Sequence, residues 1–196
     1  MKMIKYLLLG ILLLAGCTTV AEECPVQVCD CSEEVYNVDN FYSNFMKAKL
    51  EHADGMMDRE KAEKNYAFWS YYYDDGYVLD AVDFCVIARG QYSSSNEHFT
   101  KSSAYFLNAN KTTEGAYSEL IRLYVEKIDI MIDINWAMYE ACEYFESAGK
   151  FYSKELWDAG DDRLEIGNEK IALHDSLIKG NNEYMAKIDV LEEMLR

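Results

Sequence analysis

The sequence predicts an all-α protein, an antiparallel up-down four-helix bundle of long helices with a short C-terminal helix, preceded by a flexible tether. Three observations carry this. The only proline is Pro25, so nothing after Asp39 breaks a helix by removing a backbone donor. Apolar residues beyond that point recur at alternating spacings of three and four, the seam of long packed helices. The stretches between these runs are short and contain glycine or polar residues, and short loops between long helices force antiparallel neighbours.

The first helix opens with Phe41, Phe45, Ala48, His52 and Met56 and continues through Tyr66, Trp69 and Tyr73. Asp54-Gly55 is a candidate kink, since a helical glycine costs about 1 kcal/mol. Asp74-Asp75-Gly76 supplies a glycine for a left-handed C-cap. The second helix carries Val78, Ala81, Cys85, Ala88, Tyr92, Ser95, Phe99, Ser102 and Phe106 without a slip of period. Its small members favour close approach of a neighbour. Asn108 to Thr113 forms a polar loop, with Thr113 able to cap the third helix. That helix repeats the pattern through Tyr117, Ile121, Tyr124, Ile128, Met131, Asn135, Met138, Cys142 and Phe145. Ala148-Gly149-Lys150 reads as its glycine stop. The fourth series, Ala159, Ile166, Leu173, Leu177, Tyr184, Ile188, Leu191 and Leu195, is interrupted by Arg163 and Lys170, and Gly180-Asn181-Asn182 reads as a break before a short last helix. Each long helix is expected to hold roughly 30 residues, about 45 Å at 1.5 Å per residue.

Ahead of the bundle, Lys2 and Lys5 precede an apolar run from Tyr6 to Leu14, followed by Ala15, Gly16 and Cys17. A basic start, a short apolar core and small residues before a cut are the marks of a secretory signal. The run is too short for a bilayer span, which needs about 20 apolar residues. Leu14-Ala15-Gly16-Cys17 resembles the lipobox of bacterial-type lipoproteins. The resemblance covers residues 1–17 only. It implies a signal peptide over 1–16 and lipidation of Cys17 as the mature N-terminus, and the composition and periodicity that follow divide the remainder into a tether over 17–38 and a helical bundle domain over 39–196. It also implies a membrane partner gripped through the N-terminal lipid, on the extracytoplasmic face of the cell membrane or the outer membrane. Thr18 in place of Asp is the outer-membrane signal where a host has one.

The chain carries 19 Lys and Arg against 35 Asp and Glu, a net charge of −16. Loss of Lys2 and Lys5 with the signal makes the remainder more negative still. Such a surface repels phosphate backbones, so nucleic acid is not an expected partner. It repels anionic headgroups as well, so the body stands off the membrane.

The tether holds Cys24, Cys29 and Cys31 close together. Soft thiolates could clip a metal, but four-coordinate zinc lacks a fourth ligand nearby, and a local disulfide suits an oxidising compartment. Cys85 and Cys142 fall on facing seams, and the loop register places them several residues apart as unpaired thiols. Asn135 on the seam reads as a register-fixing buried amide. The glutamates and aspartate Glu119, Glu126, Asp133 and Glu140 recur every seven residues as a solvated face. None of His52, His98 and His174 follows a glutamate by three residues, so no di-iron motif is present. No nucleophile-elbow, phosphate-loop or His-rich motif appears, and neither catalysis nor a cofactor is expected.

The topology brings Trp69, Tyr71, Tyr72, Tyr73, Tyr77, Trp136 and Trp157 toward the end that carries the Asp74–Gly76 and Ala148–Lys150 turns. One core-facing stripe cannot bury all of Phe68 to Tyr73, so some rings are expected at the surface among acidic residues. The expected function is a non-catalytic module that docks a protein or peptide there, through Trp69, Tyr71, Tyr72, Tyr73, Tyr77 and Trp157. A small-ligand or metal-ion carrier using the bundle interior or the cysteine and acidic clusters is the alternative. Spacings of Tyr72, Gly76, Ala81 and Ala88 are similar to those of tetratricopeptide hairpins, which allows a helical-hairpin adaptor, and Asn65-Tyr-Ala-Phe-Trp resembles Asn135-Trp-Ala-Met-Tyr as in a duplicated hairpin.

Overall fold

The computed structural model describes the backbone from Cys31 to Leu195 and side chains from Asn40 to Leu195. The compact body is Glu34–Arg196. It is built from α1 (Cys31–Asp74), α2 (Val78–Asn110), α3 (Ala116–Tyr152) and α4 (Trp157–Met194). With 33 to 44 residues each, these helices make an all-α, up-down four-helix bundle rather than stacked repeat hairpins. The signal region, Cys17, Cys24 and Cys29 lie outside the described residues, as does the side chain of Cys31. No described helix is long and apolar enough to cross a membrane.

Contacts give the alternation of direction. Ser95 Oγ donates to the Gly55 carbonyl and Ser102 Oγ to the Ala48 carbonyl, both at 2.8 Å, so α1 and α2 run antiparallel at backbone-touching distance. The small seam residues of α2 allow this approach. Gly55 allows it from the other side, because a Cβ there would stand 2.7 Å from the Phe99 ring. Gly55 is thus a packing residue inside an unbroken helix, not a kink.

The core has two apolar halves. The lower half gathers Phe41, Phe99, Phe106, Ile121, Tyr124, Ile128 and Ile188. The upper half gathers Trp69, Ala81, Cys85, Tyr92, Cys142 and Phe145. Between them lies a buried polar layer, as expected of Asn135: its Nδ2 donates to Ser95 Oγ at 2.8 Å and to Asn96 Oδ1 at 2.9 Å. A one-turn slip of any helix would strand these groups without partners, at about 1–3 kcal/mol each.

Five local expectations are corrected. Helix α1 begins at Cys31, inside the stretch read as tether. Gly149 does not stop α3; it is buried where a Cβ would strike Val82, and the helix runs on to Tyr152. Helix α4 passes through Gly180-Asn181-Asn182 without a break, so there is no separate C-terminal helix among the described residues. Ile178 and Ile188 on either side both face the bundle, which keeps the backbone helical through that triplet. Thr113 caps nothing, since Gly115 is the residue before α3. Cys85 and Cys142, free and buried, neighbour each other across the α2–α3 interface in one core cluster rather than sitting several residues apart.

Candidate functional site

Two places in the bundle carry unusual chemistry, an aromatic end and a basic cavity lower down. The aromatic end is built by two turns of one design. At the first, the Tyr77 N–H donates to the Tyr72 carbonyl and the Gly76 N–H to the Tyr73 carbonyl, at 2.9 and 3.0 Å, with Gly76 at φ 85°. At the second, Leu156 donates to Phe151 and Glu155 to Tyr152, at 3.1 and 3.0 Å, with Glu155 at φ 62°. Both are Schellman closures, in which a left-handed residue lets the last carbonyls find donors. Tyr77 and Leu156 then serve as the N-cap residues of α2 and α4. Each turn therefore ends one helix and starts the next with an exposed apolar residue at its apex.

The aromatic residues divide into two layers. Trp69, expected to bind a partner, is only 6% exposed; it stacks on Phe145 with centroids 4.0 Å apart and also on Tyr66 and Tyr73. Tyr72 stacks on Phe84, and Tyr73 meets Tyr152, so both are half-buried supports. The outer layer is Phe68, Tyr71, Tyr77 and Trp157, with Tyr71 at 62% and Trp157 at 61% exposed. Trp157 leans on Tyr152, whose hydroxyl donates to Asp161 at 2.7 Å. Tyr71 is hydrogen-bonded to Asp75, which holds its hydroxyl above the usual tyrosine range. Trp136 is not at this end. It lies beside Ser93, Glu97 and Thr100, some 25 Å down the α3 axis from the turn at 1.5 Å per residue.

The second place follows from how α4 is held. Its buried residues are Gly160, Gly167 and Ile188. The two glycines admit the rings of Tyr152 and Phe145 at the top, and Ile188 joins the lower core. Between Ile171, which packs on the upper core, and Tyr184, which packs on the lower, α4 borders with α1 and α3 a pocket of about 500 Å³ that opens to solvent. Met56, Met131, Ile178 and Met185 form its apolar walls. Its polar walls include His52 and Arg59 of α1 and Lys127 of α3.

Lys127 is 7% exposed, and among the described residues its one polar partner is His52 Nε2 at 3.4 Å. Burial and the neighbouring Lys49 hold its ammonium below the usual lysine range. Burial, Lys127 and Lys49 together push His52 down to about 4. His52 Nδ1 is buried without a partner, as is Asn181 Oδ1 on α4. Arg59 gives its Nε to Glu63 at 2.8 Å, and Glu60 takes Lys64 at 2.9 Å, so the acids of this wall are already engaged. Below the cavity Lys49 donates to Tyr124 and to Glu192, the latter at 3.0 Å.

Sequence reasoning placed His52 on the α1 seam but assigned it no role, and it missed Lys127, Arg59 and Asn181. A lysine three residues after Tyr124 and four before Met131, within the apolar stripe of α3, is the signal that was available. Among the described residues no cluster of His, Cys, Asp or Glu could hold a metal ion. Comparison with protein-family models, with curated proteins and with solved structures gives no match. The fold therefore defines the class, an acidic all-α four-helix bundle with one aromatic end and one basic internal cavity.

Proposed function

We propose that this chain is a lipid-anchored extracytoplasmic protein, held in the cell membrane or outer membrane through Cys17, whose bundle is a non-catalytic docking module for a protein or peptide. The observation that carries this is the outer aromatic layer: Phe68, Tyr71, Tyr77 and Trp157 stay exposed around two closely similar turns while Trp69 and Tyr73 fill the space beneath. Rigid exposed rings rimmed by acids suit a protein interface, where aromatics supply most of the binding energy. This end is also the far end of α1 from its N-terminus, a helix of 44 residues or about 66 Å. Site-specific photo-crosslinking in the native membrane tests it. A crosslinker at Tyr77 or Trp157 is expected to trap one defined partner that a crosslinker at exposed Leu107, near the opposite end, does not. Equal products from all three positions would refute docking at this end. Lipidation is checked separately by metabolic acyl labelling that Cys17→Ser abolishes.

A second reading, a small-ligand carrier, is favoured by the cavity at Lys127.

A further inference from the structure

We propose that the pocket between α1, α3 and α4 is a binding site for a small organic carboxylate with an apolar body, its anionic head received by the Lys127 ammonium, which His52 holds in place. This stands apart from docking at the aromatic end and gives the carrier reading its ligand class.

Lys127 is the first reason. A lysine this deeply buried is ordinarily paired with a carboxylate, yet among the described residues none lies within ion-pair distance of its Nζ. Burial and Lys49 of α1 disfavour its charged form, while Asp189 and Glu192 of α4 favour it. The ammonium is a donor in search of an anion.

His52 is the second. The Lys127 ammonium has only donors, so the His52 Nε2 beside it is the acceptor and the ring proton sits on Nδ1. Nδ1 is buried and unpartnered on the opposite side of the ring from Lys127, so His52 serves the ammonium as an acceptor and brings no acid to it. Nε2 takes one of the three ammonium donors, and the other two fit the oxygens of one carboxylate.

The charge state selects among anions. Arg59 is engaged by Glu63 and Lys49 by Glu192, which leaves a single uncompensated cation. A monoanion balances it, whereas a phosphate dianion would leave surplus charge against Glu60 and Glu63. The remaining wall of Met56, Met131, Ile178 and Met185 is apolar and, being rich in methionine, adapts to varied shapes. A bare ion such as acetate leaves that wall empty.

The test titrates the full-length chain in lipid nanodiscs with sodium hexanoate, hexylammonium chloride and sodium acetate, with protein-free nanodiscs as the blank. Calorimetry reads affinity and the His52 ring resonances report the site. Saturable hexanoate binding that moves those resonances is expected, with acetate weaker. Lys127→Met should weaken hexanoate by about tenfold or more, the usual result of removing one member of a buried charged contact. Should Lys127→Met fail to keep its helical circular dichroism, Met185→Trp, which fills the cavity from the half-exposed side of α4, provides the same loss. No saturable binding of any of the three compounds would overturn both the proposal and the carrier reading. Preference for hexylammonium would overturn the anion assignment and keep the carrier. Hexanoate binding unchanged in both variants would overturn the site.

Discussion

Trp69 of α1 lies flat on Phe145 of α3, ring centroids 4.0 Å apart and planes within 10°. These two rings join parallel helices that no loop connects directly, and Gly167 of α4 closes over the far side of Phe145. Three of the four helices thus meet at one stacked pair.

Because Trp69 is 6% exposed, Trp69→Ala is a core deletion. It should cost about 3–5 kcal/mol, the range for large aromatic-to-alanine changes in cores. Urea denaturation measures this directly. A loss under about 1 kcal/mol would mean that the Trp69–Phe145 stack is not formed in solution.

Gly167 and Gly180 both sit inside α4, and they should respond oppositely to the same change. A Cβ at Gly167 would overlap the Phe145 ring, so Gly167→Ala should destabilise by about 1–3 kcal/mol through overpacking. Gly180 has open space where a Cβ would stand, so Gly180→Ala should stabilise by about 0.5–1 kcal/mol. Thermal melts of the pair separate the two cases, and stabilisation by both would contradict the seating of α4 on Phe145.

Glu155 occupies the left-handed position of the second Schellman turn, at φ 62°, where Gly76 serves in the first. A residue with a Cβ pays roughly 1–2 kcal/mol for that conformation. Glu155→Gly should recover about 1 kcal/mol of it, net of glycine's larger unfolded-state entropy. An unchanged melting temperature would argue against the strained turn.

His52 should make stability fall with acid. In the folded protein it stays neutral down to about 4, against an ordinary value of 6.5, because burial, Lys127 and Lys49 disfavour its charged form. The unfolded chain therefore binds the extra proton first as pH drops. Stability is unaffected above about 6.5, falls between 6.5 and 4, and levels below 4 with a loss of about 3 kcal/mol from this group. Carboxylates titrate in the lower part of the same window, so the measurement is the difference between wild type and His52→Gln in urea midpoints from pH 7 to pH 4. Parallel curves would show that His52 titrates normally.

Much of the architecture was legible because a helical seam is a local, periodic property. Ala81, Cys85, Ala88, Tyr92, Ser95, Phe99, Ser102 and Phe106 were read as one face of α2, and all are buried. Ile121 through Phe145 on α3 behaved in the same way. The turn at Gly76 was legible for a similar reason, since its left-handed backbone suits glycine locally. The candidate site was less so. Tyr71, Tyr77 and Trp157 were named for the aromatic end and are exposed there, but Trp69 was read as a docking ring and is buried, and Trp136 was put at that end and lies elsewhere, because stripe membership depends on which neighbour covers which flank.

The sequence by itself determined that the chain after Asp39 is helical, that it folds back in short turns and which stripe of α2 and α3 faces inward. Tertiary structure alone decided what the glycines do. Gly55, Gly149 and Gly167 look like breaks in one dimension and are contact points in three, because a missing Cβ weakens an isolated helix but admits a neighbour's ring or methyl group in a packed one. It alone also decided the basic cavity. Lys127 and His52 are 75 residues apart, and only the parallel pairing of α1 with α3 brings them together in the wall of one pocket.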